Sequence, residues 1–395
     1  MARLFTDGVE LNSLLNYNTG GTGTPVTTPV TNGAYSIQFD AGQGVDKSIY
    51  ITAGENRVVF QEAKFRFSVF PDQTVYIMRQ ASSGLTIYFA VTATGICRCY
   101  TWNGSSLSQV GGDGPTLLLD TWYRMGLRGD APGDTISARV DDSDFVSAAS
   151  AVVGVQSSIG YGLAGMVGGS APTSGTVFMD DNCVNDDTGS IENSWPGDCN
   201  VIHLRPDAAG DNAQWTRRGT DSGANWSQVD EVTPNDDTDK VQEDTSGNID
   251  DYNLDATPAA LASDDVINAV QVGVRYRAVL GLFSSDFVLR IKVSSGGTVE
   301  EGSTIIVSTV NFRTHRTSEP FIPTLTLYDL PGASVTAWTK ADLDAAQAGM
   351  RCTETSAAGT DVTTIWLTVD HKGIGRPWAS PTPPLPLIRR EVVAY

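Results

Sequence analysis

Lys64-Phe65-Arg66-Phe67-Ser68-Val69 alternates polar and apolar side chains with the two-residue period of a strand buried on one face. The same patterning recurs outward from it, at 35–39, 75–78, 85–91, 96–102, 122–127, 136–140 and 177–184. Short strands in this number suit a β-sandwich. Farther along, Val201-Ile202-His203-Leu204-Arg205-Pro206 opens a second region, and strands are expected at 266–279, 287–293, 305–310 and 365–369. One helix is signalled near 340–348. Thr339 can cap it, Asp342 stands three residues on, Leu343 and Ala346 offer an inward face, and Gly349 can end it.

Composition agrees with this reading. Of 395 residues 40% are apolar, and 40 glycines and 18 prolines supply tight turns. A chain of this length has room for two cores. The expected class is all-β, with two jelly-roll-like β-sandwich domains at 1–190 and 191–370 and an extended Pro-rich tail at 371–395. The boundary is read from residues 186–200, DDTGSIENSWPGDCN, where apolar alternation stops and Gly, Pro, Asn and Asp accumulate.

The net charge of −20 is unevenly spread: 10 Lys/Arg face 18 Asp/Glu in 1–190, 12 face 27 in 191–370, and 4 face 1 in 371–395. Such an acidic body argues against a nucleic-acid partner, which needs concentrated Lys and Arg. The N-terminal MARLFTDGVELNSLLNY has no apolar run followed by small residues, so no secretory signal is expected, and no segment reads as a membrane span. The cysteines, Cys97, Cys99, Cys183, Cys199 and Cys352, are odd in number and form no CxxC pair. They read as ordinary buried thiols of a protein made in a reducing cytoplasm, in preference to a zinc site built from the first four.

Catalysis would need convergent groups. His203, His315 and His371 are far apart with no motif around them, and no GxSxG, HExxH, GxxxxGK[ST] or Glu-x-Asp-x-x-Glu pattern occurs. No catalytic residue and no resident metal is assigned. Asp221-Ser222-Gly223-Ala224-Asn225-Trp226 partly matches the Asp-box hairpin of sialidases, but the match is single and Gly219 and Asn225 stand where a hydroxyl residue is usual, so a local turn is expected. Arg128-Gly129-Asp130 falls at the end of a strand. Between Asp230 and Asp265 lie twelve acidic residues and one basic residue, Lys240. Calcium is a candidate ligand there, yet the EF-hand spacing is missing, and solvated turns are the preferred reading.

The order of features adds a resemblance. Asp120-Thr121-Trp122-Tyr123-Arg124-Met125-Gly126-Leu127, then Ser137-Ala138-Arg139-Val140-Asp141-Asp142, then Phe178-Met179-Asp180-Asp181 resembles the concanavalin A-like, laminin-G-like jelly roll, with Asp142 where glycine is usual. The opening LFTDGVEL, the stretch QWTRRGTDSGANWSQVDEVTPNDDTDKV beginning at Gln214, and AVQVGVRYRA resemble parts of tailed-bacteriophage virion proteins. The resemblance implies a non-enzymatic structural component of a phage particle, in the tail, neck or fibre, or otherwise as a capsid decoration or head spike. It would be synthesised in the host cytoplasm and dock to other virion proteins as a homo-oligomer, with a trimer favoured by fold analogy. Jelly rolls of the laminin-G kind often bind sugars through aromatics. The alternative is therefore a carbohydrate-binding adhesin for host surface polysaccharide, with Tyr100, Trp102, Trp122 and Tyr161 as the candidate glycan face. In the tail, Trp378, Leu385, Leu387 and Ile388 are costly to leave in water at roughly 25 cal/mol per Å². Because the tail is basic beside acidic domains, these four are the candidate intersubunit contacts.

Overall fold

The computed structural model describes residues 3–373 apart from 19–20, 50–56, 83–84, 155, 167–168, 189–191, 220–222, 234–237, 260, 281–284 and 317–336. The protein is built from antiparallel sheets packed in pairs. The N-terminal strands are β1 (Arg3–Asp7), β2 (Thr24–Val26), β3 (Ser36–Asp40), β4 (Gly44–Ser48), β5 (Val58–Val69), β6 (Val75–Ala81) and β7 (Thr86–Val91). They continue with β8 (Cys97–Trp102), β9 (Leu107–Val110), β10 (Trp122–Asp130), β11 (Thr135–Val140), β12 (Ser143–Ser150), β13 (Ser158–Ala164) and β14 (Thr176–Asp186).

One sheet runs β12-β11-β10-β5-β14-β3-β2, with β1 also on β14; the other runs β4-β13-β6-β7-β8-β9. The alternation along residues 64–69 is borne out, since Phe65 and Phe67 of β5 face inward with Met125 and Leu127 of β10 and meet Ile87, Phe89 and Val91 of β7 from the opposite sheet. This buried contact is the sandwich core, and each fully buried side chain of that size contributes about 1.5–3 kcal/mol. Strand β14 serves two partners on one edge, β3 along Thr176–Met179 and β1 along Asn182–Asn185. A bulge between Asp180 and Cys183, with Asp181 at φ 44°, re-aims the strand between them.

The C-terminal strands are β15 (Asn200–Leu204), β16 (Pro206–Ala213), β17 (Thr216–Gly219), β18 (Asp239–Glu243), β19 (Ile249–Leu254) and β20 (Val266–Ala278). After them come β21 (Phe287–Lys292), β22 (Val299–Glu301), β23 (Arg313–Arg316), β24 (Gln347–Cys352) and β25 (Thr360–Lys372), with helix α1 (Lys340–Asp344) before β24. The sheets are β17-β18-β25-β20-β23, with β15 on β25, and β16-β19-β24-β21-β22. Their shared core includes Val270, Val272, Val274, Phe287, Leu289, Ile365 and Leu367.

Thr339 caps α1 through a reciprocal box with Asp342, and Leu343 and Ala346 are buried. The helix is shorter than expected: it ends at Asp344, and Gly349 lies inside β24 opposite Asp251 and Arg290. Residues 305–310 also differ from expectation. Ile305 and Val307 are buried and Ile306 is exposed, as in a strand, but only Ile305 bridges, to Phe287. The remaining backbone closes loops instead: Val307 N–H donates to Asp286, and Ala278 N–H donates to Thr309 O. Strand β25 carries on through His371 and Lys372, while Trp378, Leu385, Leu387 and Ile388 lie outside the described residues. No helix among the described residues is long and apolar enough to cross a membrane.

Candidate functional site

The six-stranded sheet turns one face to the sandwich core and carries a second, smaller cluster on its other face. In β7, Ile87, Phe89 and Val91 point inward, so Tyr88 and Ala90 point outward; in β8, Cys97 and Cys99 point inward, so Arg98, Tyr100 and Trp102 point outward. A bulge in β6 lets Tyr76 join them. Tyr76, Tyr88, Tyr100, Trp102, Ala90, Leu107 and Met166 thus form one outward aromatic cluster. Tyr88 is almost wholly covered, whereas Tyr76, Tyr100 and Trp102 keep part of their surface in solvent. The Tyr76 and Tyr88 rings stand 5.5 Å apart.

Cross-strand register sets the polar groups. Asp46, Gly160, Arg79, Tyr88, Tyr100 and Gln109 are direct neighbours in one row across the whole sheet. Gly160 leaves a notch, because a Cβ there would sit 2.4 Å from Asp46 Oδ1. Asp46 and Arg79 meet across it at 2.6 Å, and the Arg79 guanidinium stands 5.9 Å from the Tyr76 ring centre. In the neighbouring row Arg98 is held bidentately by Asp113 at 2.6 and 3.0 Å, and Gln109 Nε2 donates to the same carboxylate. The hydrogen bonds from Arg98 hold the Asp113 carboxyl below its usual range. Where such partly buried rings reach solvent beside fixed donors and acceptors, they can stack against the apolar face of a ligand while those polar groups hydrogen-bond its hydroxyl edge.

The four aromatics expected from sequence do not meet. Tyr100 and Trp102 are here, but Trp122 faces out from the other sheet, opposite Arg66, and Tyr161 is fully buried in the core beside Phe65 and Tyr17. Tyr161 shares its strand parity with Ile159 and Leu163, and that apolar set turns inward. Tyr76 and Tyr88 stand beside them instead, Tyr76 partly exposed and Tyr88 covered. Their signal was present, since each interrupts an apolar run at the position that alternation turns outward.

Other candidates resolve differently. Cys183 and Cys199 form a disulfide, contrary to the expected thiols, because residues 192–200 double back along β14. Cys97, Cys99 and Cys352 are free and buried, and the two pairs considered for zinc are held apart, one in the sandwich core and one beyond the opposite sheet. Among the described residues, the one trio whose ligand atoms are close enough for a metal ion is Cys183, Cys199 and Asp370, whose sulfurs are bonded to each other and whose carboxylate pairs with Arg3 at 2.7 Å. In the acidic run, Asp250, Asp251 and Asp265 are buried and not in solvated turns. Asp250 accepts from Trp215 N, Asn225 Nδ2 and Tyr252 OH, Asp251 pairs with Lys292 and Arg290, and Asp265 meets His371 Nδ1 at 3.0 Å. Burial pushes the Asp250 carboxyl up to about 6. The Asp221–Trp226 stretch begins outside the described residues, and Asn225–Gln228 is a single 3-10 turn. Arg128 and Asp130 pair with each other at 2.7 Å.

No protein-family model and no curated protein matches the chain. Solved structures similar to parts of it include a cellulose-induced protein, Cip1, at 14% identity and a TM-score of 0.35, covering 46% of this chain and 96% of that one. A Trypanosoma rangeli sialidase bound to the inhibitor DANA is 14% identical at a TM-score of 0.30, covering 43% of this chain and 30% of that enzyme. A heptameric SAP-like pentraxin from Limulus polyphemus is 14% identical at 0.25, covering 38% and 75%. Likenesses this distant fix neither the ligand nor the chemistry of this chain.

Proposed function

We propose that the chain is a non-catalytic glycan-binding β-sandwich protein whose binding surface is the outward face of β6, β7 and β8. The observation that carries this reading is the gathering of partly buried Tyr76, Tyr100 and Trp102 beside the Arg79–Asp46 and Arg98–Asp113 pairs on one sheet face. Carboxylates with strongly raised pKa, such as Glu10 and Asp370, sit in buried seams and not on this face. A glycan-array screen followed by calorimetry tests the reading. Trp102→Ala and Tyr100→Ala should each weaken binding by roughly tenfold or more, the loss of an anchor worth about 1.4 kcal/mol or above. Trp122→Phe, on the opposite sheet, should leave it unchanged. Equal affinity in all three variants, or no glycan bound at all, would sink the proposal. Release of reducing ends from a bound polysaccharide would instead argue for an enzyme.

The resemblance of LFTDGVEL and of the stretch beginning at Gln214 to phage virion proteins supports a setting for this surface, that of an adhesin on a phage particle docked to other virion proteins as a homo-oligomer. The location of the chain in an electron-microscopy map of an intact particle tests that setting.

A further inference from the structure

On the reading that this face binds glycan, we infer that its ligand is an uncharged, linear saccharide lying along the diagonal from Tyr76 to Trp102. The length follows from register. Tyr76 is level with Ala90 and Arg98, two strands away, and Trp102 lies four residues farther along β8. The diagonal is therefore on the order of 16 Å, from strand spacing and rise, which suits several consecutive rings of a chain better than one terminal sugar. Tyr100 lies between its ends, with the covered Tyr88 as its cross-strand neighbour. Met166 is buried in the same cluster as Tyr88 and Ala90, so the middle of the diagonal is filled and closed to water.

The charge class follows from how the arginines are held. Arg79 and Arg98 are the cations of this face among the described residues, and each already has a carboxylate at 2.6 Å. Arg98 is held by two parallel bonds, the geometry in which a guanidinium is most fully satisfied. An anionic sugar would have to displace Asp46 or Asp113 or approach them uncompensated, and a chain of net charge −20 repels it further. A hydroxyl faces no such penalty, since each pair offers both a donor edge and acceptor lone pairs to a group that is itself donor and acceptor.

The probe is a set of matched polymers: neutral polysaccharides and the same polymers carboxymethylated, titrated against the full chain at low and high salt. The neutral members should bind with little salt dependence and the carboxymethylated ones should not. In the double variant Asp46→Asn and Asp113→Asn, both guanidiniums are released. That variant should gain affinity for the carboxymethylated polymers by on the order of tenfold at low salt, one charge-assisted hydrogen bond's worth, and lose it at high salt. Wild-type preference for the carboxymethylated form overturns this inference and leaves the glycan reading standing. Failure of the double variant to gain that affinity overturns the argument from closed arginines. Binding of neither polymer type overturns the inference together with the reading beneath it.

Discussion

The turn between β11 and β12 shows what one residue type settles. Asp141 and Asp142 have φ of 48° and 68°, the paired left-handed conformation of a two-residue hairpin. Asp142 stands there in place of the glycine usual in the resembling jelly rolls. It is tolerated because Asp enters this region more readily than most residues, and its carboxylate reaches Arg124 and Arg139. Asp141 Oδ1 accepts Arg124 N–H at 2.9 Å and fixes the turn against β10. Asp142→Val should cost about 1–2 kcal/mol, since a β-branched residue is strained at this φ. Asp142→Gly should stay close to wild type, because Asp142 is largely exposed and its ion pairs are screened. Urea unfolding of the two variants checks this, and equal losses would show that charge, not backbone, holds the turn. At the same scale, Tyr100 and Trp102 were legible in sequence because alternation puts them opposite Cys97 and Cys99. Trp122 and Tyr161 were not: alternation divides a strand into two faces but does not say which face the partner sheet covers.

At the scale of elements, most strands could be read from their period, and the exceptions have local causes. The 305–310 segment has strand periodicity but spends its backbone groups on loop closure, and α1 stops where β24 recruits Gln347 onward into a sheet. The apparent linker at 186–200 is the clearest case, because its polar, Gly- and Pro-rich composition concealed a docked segment. Trp195 lies over Gly126 of β10, with Phe60 at 5.4 Å and the Arg139 guanidinium at 4.1 Å. Glu62 accepts Gly197 N–H at 2.6 Å while holding Arg139. No sequence pattern announces Gly126 as the notch for a tryptophan some seventy positions on, since a Cβ there would stand 2.7 Å from the Trp195 ring. Gly126→Val should therefore expel Trp195 and make the segment accessible to protease while the sandwich stays folded. Limited proteolysis should then show faster cleavage within 187–198, and after cleavage the halves should part on a gel only under reducing conditions, because Cys183–Cys199 spans the cut. Unchanged cleavage would mean that Trp195 does not anchor the segment.

Across the whole molecule, buried charge bridges the two sandwiches. Arg3 of β1 reaches Asp370 of β25 and Glu192 at 2.7 Å each, and Lys64 of β5 joins Asp181 and Asn200. Glu10 accepts Ala34 and Tyr35 N–H, and its carbonyl oxygen accepts from Arg205 at the start of the second sandwich. Burial raises the Glu10 carboxyl to about 8, with Asp181 adding to the shift while those N–H groups and Arg205 oppose it. Burial raises Asp370 to about 7, against the pull of Arg3 and with Glu192 adding to it. Both folded-state values lie above those of the unfolded chain, so the folded protein keeps protons that the unfolded chain gives up, and stability falls as pH rises through this window. For Glu10 the fall runs from about 4.5 to about 8 and is complete above it. Glu10→Gln keeps an oxygen to accept the two N–H groups and removes the titration. Its thermal midpoint should match wild type near the lower end of that window and exceed it increasingly toward the upper end, leaving a shallower slope that belongs to the other raised carboxyls, Asp370 and Asp250 among them. Parallel midpoint curves for the two proteins across the window would mean that Glu10 is already ionised in the folded seam, with Arg205 and the two backbone donors outweighing the cost of burying its charge.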